Sequence, residues 1–166
     1  MAATNSSSKT TLYRLITALK KDFPTISFAE NDIFFWSPED NTVYINVTSP
    51  SQQDRWTLLH EFAHGVLGHQ DYTSDIELLS LETAAWTEAK RLQRRYDHAN
   101  PIDDDHIQDC LDTYRDWLYA RSRCPRCEQT GLQINSRRYY CINCNQHWTV
   151  THARFKRPYR MSHLTE

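Results

Sequence analysis

The 166-residue sequence has only three glycines and six prolines, and it contains no long apolar run. So little glycine and proline excludes a collagen-like or low-complexity chain. The absence of an uninterrupted stretch of about 18–20 apolar residues argues against a membrane-spanning helix. The polar start MAATNSSSKTT lacks the apolar core of a secretory signal. We therefore expect a globular, cytoplasmic protein with no membrane partner.

Charge is unevenly divided along the chain. Residues 1–120 contain 10 Lys/Arg and 19 Asp/Glu, whereas residues 121–166 contain 9 Lys/Arg and 2 Asp/Glu. An acidic body followed by a basic segment indicates two modules with different partners.

Hydrophobic periodicity predicts an α+β fold. Residues 10–23, 51–69, 74–97 and 103–121 carry apolar side chains at helical spacing, and Ser51 is the expected N-cap of the second helix. Between the first two helices, ISFAENDIFFWSPEDNTVYINV predicts short strands with a turn at SPEDN. The expected body is a small helical core with a short antiparallel sheet.

The stretch HEFAH has the spacing of a metal-binding helix. His60 and His64 are four residues apart, so both imidazoles project from one helix face and can share a metal ion. Glu61 lies beside them, where a carboxylate can take a proton from metal-bound water without binding the metal itself. The apolar surround WTLLHEFAHGVLGH indicates a buried helix, in which these polar groups need partners. An oxyanion stabiliser is expected nearby, with Tyr72 and His69 as the nearest candidates.

A catalytic zinc needs a third protein ligand and an open position. Glu82, on the next predicted helix, is the first candidate, and Glu77, on an earlier turn of that helix, is the second. His69 and Glu88 are further rivals. Five residues beyond His64, His69 lies about 140° around a helix and faces elsewhere unless the helix ends first.

The motifs LLHEFAHGVLGH and LETAAW together resemble the ImmA/IrrE-like family of zinc metallo-endopeptidases, small gluzincin-type proteins with H-E-x-x-H and a downstream E-x-x-A. The resemblance implies zinc ligation by His60, His64 and Glu82, with Glu61 as the general base. It also implies a gluzincin-like helix–sheet–helix core whose edge strand, here TVYINV, holds an extended substrate peptide by strand addition. Members of the family often cleave a repressor, so a regulatory protein substrate of that kind is implied.

The resemblance is at the level of motifs and covers about residues 10–100. Ala85 matches the family's packing alanine. Trp86 stands where members commonly have a smaller polar residue, and the chain ends in cysteine pairs rather than in a larger regulatory domain.

Four of the five cysteines form two C-x-x-C pairs in CPRCEQTGLQINSRRYYCINC. Thirteen residues separate Cys124 and Cys127 from Cys141 and Cys144, a spacing typical of a four-cysteine zinc ribbon. Such a zinc is structural, because about thirty residues cannot build a sufficient core alone. Two zinc ions per chain are therefore expected, one catalytic and one structural. Cys110 is expected to be a small buried hydrophobe.

Four cysteines complete a zinc shell, so His147 and His152, just beyond them, are expected to be surface or packing residues. The sequence then predicts a metallopeptidase-like domain over residues 1–121, a four-cysteine zinc ribbon over residues 122–152 and a basic tail over residues 153–166.

The ribbon segment mixes positive charge with aromatic surface. Arg137, Arg138, Tyr139 and Tyr140 suit phosphate contact with base stacking, which makes nucleic acid a candidate partner. The alternative is a solvated basic face that only docks on the acidic body. Further basic residues follow at Arg154, Lys156, Arg157 and Arg160.

Two other functions fit parts of the pattern. SprT-like proteases also join H-E-x-x-H to a C-terminal zinc ribbon and act on DNA-bound proteins, but their third ligand is a histidine in a later H-G motif that this sequence lacks. A non-enzymatic adaptor would bind nucleic acid or protein through the ribbon alone.

Overall fold

The computed structural model describes residues 2–48, 50–151 and 160–162. Within these residues the helices are α1 (Ala2–Asp22), α2 (Gln52–Leu67), α3 (Asp75–Tyr96) and α4 (Asp104–Ser122). The strands are β1 (Ser27–Glu30), β2 (Phe35–Ser37), β3 (Thr42–Ile45), β4 (Leu132–Asn135), β5 (Arg138–Tyr140), β6 (His147–Val150) and β7 (Arg160–Ser162). The predicted α+β class is confirmed. None of the described helices is both long and apolar enough to cross a membrane.

The chain folds as two compact units. The first comprises Met1–Gln70 and Thr83–Asp104, and the second comprises Asp71–Glu82 and Asp105–Glu166. One of the three boundaries falls inside α3, directly after Glu82, so this continuous helix contributes to both units.

The core of the first unit is built from amphipathic helices and the middle of the sheet. The buried face of α1 is the one that the spacing predicts: Leu12, Leu15, Ile16 and Leu19. From α2, Phe62 is fully buried and its ring contacts both Phe23 and Phe28. Apolar side chains at helical spacing thus orient α2, the helix that carries the histidines.

The sheet of the first unit has the order β1-β3-β2. β3 pairs antiparallel with β2 and parallel with β1, so the sheet is mixed, and the predicted antiparallel arrangement holds only for β2 and β3. The expectation that TVYINV forms the edge strand is wrong. Both sides of β3 are paired and Val43 is fully buried, which leaves β1 and β2 as the edges.

The second unit contains an antiparallel sheet with the order β4-β5-β6-β7. The core beside this sheet is small and has these buried residues: Cys124, Tyr139, Cys141, Trp148 and Val150. β7 lies inside the segment expected to be a loosely held tail, and it pairs with β6. The remaining basic residues predicted there (Arg154, Lys156 and Arg157) lie outside the described residues, as does His152.

Candidate metal centre and active site

Both ends of α2 are fixed by local sequence. At its start, Ser51 and Asp54 form a capping box in which each side chain accepts a hydrogen bond from the other's main-chain N–H, so the predicted N-cap is confirmed. At its end, Gly68 adopts a left-handed conformation with φ 67°, which glycine enters at low cost. The helix therefore stops at Leu67, before His69.

The structure brings together the three residues that the sequence ranked first as zinc ligands. One ligand atom from each of His60, His64 and Glu82 lies within 4.8 Å of the others. Glu82 is the last residue of its unit, one peptide bond from the first unit within α3. His60 and Glu82 are each 5% exposed, and a carboxylate removed from water is stabilised by sharing a cation.

The spacing of the two imidazoles fits a tetrahedral metal. The Nε2 atoms of His60 and His64 are 3.3 Å apart, and the ring planes cross at 87°. Two nitrogens that each lie 2.0–2.1 Å from a tetrahedral zinc are about 3.3 Å apart. The donor set of two imidazoles and one carboxylate is also one that zinc prefers in catalytic sites.

The rival carboxylates have other partners. Glu77 accepts hydrogen bonds from the main-chain N–H and the hydroxyl of Thr73, both at 2.7 Å, and the Thr73 hydrogen bonds lower the pKa of Glu77. Glu88 pairs with Arg91 through two bonds of 2.5 and 2.7 Å. Neither belongs to the group formed with the histidines.

Glu61, the candidate general base, is held by an edge strand. The main-chain N–H of Trp36, in β2, donates to Oε2 of Glu61 at 3.0 Å. This bond joins an edge strand of the sheet to the helix that carries the candidate metal site. Sequence reasoning missed Trp36, because a contact across 25 residues leaves no local signal.

Trp36 also lies against the last turn of α2. A Cβ at Gly65 would lie 2.9 Å from Cζ3 of Trp36, so only glycine permits this approach. The indole N–H of Trp36 donates to the carbonyl of His69 at 3.0 Å. The tryptophan therefore contacts the helix and the residue that follows its end.

His69 folds back towards the motif. His69 would face away from His64 only if α2 continued through it, and α2 ends before it. Nδ1 of His69 lies 3.0 Å from Nδ1 of His64. This is the side of the His64 ring opposite to Nε2, the atom that faces His60. His69 thus contacts a candidate ligand and is absent from the group of candidate ligands.

Trp86 forms a wall beside His60. Its indole stacks on the His60 ring with a centroid distance of 4.2 Å and an interplanar angle of 22°. The neighbouring Ala85 is fully buried, as expected for a packing alanine. Trp86, which differs from the residue common at this position in the family, therefore contacts His60.

The four ribbon cysteines lie together in the second unit. Their sulfurs lie within 4.8 Å of one another, with 3.6 Å between Cys124 and Cys144 and 3.4 Å between Cys127 and Cys141. Sulfurs bound at 2.3 Å to a tetrahedral zinc are about 3.8 Å apart, so the cluster fits this ion. A hydrogen bond from Asn143 is the main cause that lowers the pKa of Cys127, whereas burial is the main cause that raises the pKa of Cys144.

The two C-x-x-C segments have the same local fold. Glu128 and Asn145, each directly after a second cysteine, adopt positive φ values of 61° and 59°. Their main-chain N–H groups donate to the carbonyls of Cys124 and Cys141 at 3.0 and 2.9 Å. These are the paired knuckles expected of a zinc ribbon.

One of the predicted nucleic-acid contacts is contradicted. Tyr139 is 1% exposed, and its hydroxyl donates to Asp75 and accepts from Arg121, so its ring offers no stacking surface. Arg137 and Arg138 are exposed. Tyr140 is half-buried, with its hydroxyl on Asn145 and its ring against the half-buried His147.

Of two further expectations, that for Tyr72 stays a prediction and that for Cys110 is corrected. Tyr72, a candidate oxyanion stabiliser, packs against the cluster of Leu78, Trp117 and Leu118, and burial is the main cause that raises its pKa. Cys110 is half-buried rather than buried.

Comparison with known protein families gives one match. A family model, Peptidase_M78, described as the IrrE N-terminal-like domain, matches residues 24–120. This range includes β1 to β3, α2, α3 and nearly all of α4. No match was found among curated proteins or among solved structures.

Proposed function

Since the chain belongs to the family of the IrrE N-terminal-like domain, whose peptidase assignment indicates a metallopeptidase-type function, we propose that it is a zinc-dependent metallo-endopeptidase. The observation that carries the proposal is the convergence of His60, His64 and Glu82 to within 4.8 Å, with Glu61 beside them on α2. In this proposal residues 1–121 are the catalytic domain, residues 122–152 are a structural zinc ribbon and residues 153–166 are a basic tail.

His60, His64 and Glu82 would hold the catalytic zinc. When bound there, zinc polarises a peptide carbonyl and lowers the pKa of water to about 7. Glu61 takes a proton on its carboxylate from the attacking water and delivers it to the nitrogen of the leaving amine. The N–H of Trp36 orients that carboxylate through the 3.0 Å bond to Oε2.

The proposed substrate is a protein segment in extended conformation. β2 is an edge strand beside the site, so it replaces TVYINV as the strand on which a peptide adds. Following the family resemblance, we infer a regulatory protein such as a repressor. Because four of the five cysteines form two C-x-x-C pairs that cluster as candidate metal ligands, we also infer a reducing compartment, the cytoplasm.

The first experiment counts zinc and measures peptide cleavage in the same samples. The wild type is expected to contain two zinc ions and to cleave members of a library of extended peptides, with products identified by mass spectrometry. Glu61→Gln should keep both zinc ions and lose at least about 100-fold in cleavage rate. His60→Ala/His64→Ala should keep only the ribbon zinc.

Glu88→Gln is the matched control, because its carboxylate lies on α3 but pairs with Arg91. It should cleave like the wild type. A Glu61→Gln variant that still cleaves at the wild-type rate would remove Glu61 from the mechanism. One zinc in the wild type would overturn the catalytic site and favour the adaptor.

A role in nucleic-acid binding is the weaker candidate. The accessible Arg137 and Arg138 support it, while the burial of Tyr139 removes one of its two stacking rings. Binding through phosphates would weaken steeply as salt is raised.

A further inference from the structure

The turn after α2 places a third histidine behind the metal site. Gly68 reverses the chain, and the main-chain N–H of His69 donates to the carbonyl of His64 at 3.0 Å. We propose that His69 is a positioning residue whose Nδ1 accepts the Nδ1–H of His64 and thereby keeps Nε2 of His64 directed at the zinc. This inference rests on the proposed function, since it assumes zinc at His60 and His64.

The tautomers follow from the two distances. Nδ1 of His64 is 3.0 Å from Nδ1 of His69, and Nε2 of His64 is 3.3 Å from Nε2 of His60. A neutral imidazole carries one proton, so a histidine that binds zinc through Nε2 carries its proton on Nδ1. His64 must then be the donor and His69 the acceptor, with the proton of His69 on its Nε2. The reverse bond would place a proton on the metal-binding nitrogen of His64.

The position of His69 is fixed from two directions. The indole N–H of Trp36 donates to the carbonyl of His69 at 3.0 Å, and Gly65 lets that indole lie against α2. The rings of His64 and His69 meet edge to face with a centroid distance of 4.9 Å. A hydrogen-bond partner on the second nitrogen of a ligating histidine fixes its tautomer and ring orientation, and losing such a partner costs about 10–100-fold in metal affinity.

The test measures the affinity of the helix site for zinc by competition with a chelator, with the ribbon zinc as internal reference. His69→Leu removes the acceptor and should weaken zinc binding by about 10–100-fold. His69→Asn keeps an acceptor oxygen near the position of Nδ1 and should recover most of the affinity. His98→Leu, at an exposed histidine, should bind zinc like the wild type.

Nitrogen NMR of the zinc-loaded wild type tests the same point without a substitution. The expected spectrum has His64 protonated on Nδ1 and His69 protonated on Nε2. His69 protonated on Nδ1, or unchanged zinc affinity in a folded His69→Leu protein, would overturn the inference while the peptidase proposal stands. A wild type that binds only one zinc would overturn both.

Discussion

The hydroxyl of Tyr139 contacts two charged groups in the second unit. It donates to Asp75 and accepts from Nε of Arg121 at 3.0 Å. Arg121 is fully buried, stacks on Trp117 at 4.4 Å and lies 3.4 Å from Asp75. Burial and the carboxylate of Asp75 raise the pKa of Tyr139, so the phenol stays protonated and continues to donate. The aromatic residue predicted to stack on bases is a structural link between β5 and the helices α3 and α4.

Tyr139→Phe should therefore destabilise the fold. Removing the hydroxyl leaves part of a buried ion pair unsatisfied, which costs about 1–3 kcal/mol in the free energy of unfolding. Tyr140→Phe is the matched control on the same strand, since its hydroxyl bonds only the exposed Asn145 and its loss should cost no more than about 0.5 kcal/mol. Denaturant unfolding measures both variants. Equal losses would show that the buried hydroxyl has no special role.

At the scale of elements, α2 depends on how its first turn is capped. Ser51 and Asp54 satisfy each other's main-chain N–H groups, which otherwise lack partners at a helix start. The cap stabilises the first turn of the helix that carries His60 and His64.

Ser51→Ala should cost about 1 kcal/mol in the free energy of unfolding. Hydrogen exchange should become faster in the first turn of α2. Ser80→Ala provides the comparison, because Ser80 lies inside α3 and bonds only the carbonyl of Ile76. Alanine is a better helix former there, so this variant should be neutral or slightly stabilising. If both variants behaved alike, the capping box would not contribute.

Local patterns predicted the helices and the cap, but not how the strands are ordered. Periodicity shows which face of a strand is buried and says nothing about its neighbours, and for this reason TVYINV was wrongly expected at the edge. Its burial, with three of the four β3 residues buried, is typical of a central strand. Trp36 was missed for the same reason, because its bonds to Glu61 and His69 join residues 25 and 33 positions apart in the sequence. His69 was expected to face away from His64 because the prediction assumed a continuing helix, but the helix ends at Gly68.

At the scale of the whole molecule, the two candidate metal centres differ in how far apart their ligands lie along the chain. The ribbon cysteines are close in sequence, so their spacing alone predicted the site. Glu82 lies 18 residues beyond His64, and motif spacing could only rank it above Glu77 until α3 was seen to bring it to the histidines. Residue types and spacing therefore predicted a metal site, whereas the fold was needed to identify its third candidate ligand.

The ribbon should need its zinc to fold, while the helix site should not need the ribbon zinc. The buried core of the ribbon consists of two cysteines and three other residues, too little to stabilise about thirty residues without metal. Cys127→Ser should reduce the zinc content from two ions to one and expose the ribbon to limited proteolysis. The helix site should still be filled, because its candidate ligands lie on α2 and α3.

Cys110→Ser controls for the loss of a thiol, because Cys110 lies outside the cysteine cluster. It should keep both zinc ions and a protease-resistant ribbon. Elemental analysis gives the zinc count, and the sizes of the proteolytic fragments show which segment has opened. Loss of both zinc ions in Cys127→Ser would mean that the ribbon zinc also maintains the position of Glu82, the one candidate ligand that belongs to the same unit as the ribbon. Retention of both would remove Cys127 from the zinc shell.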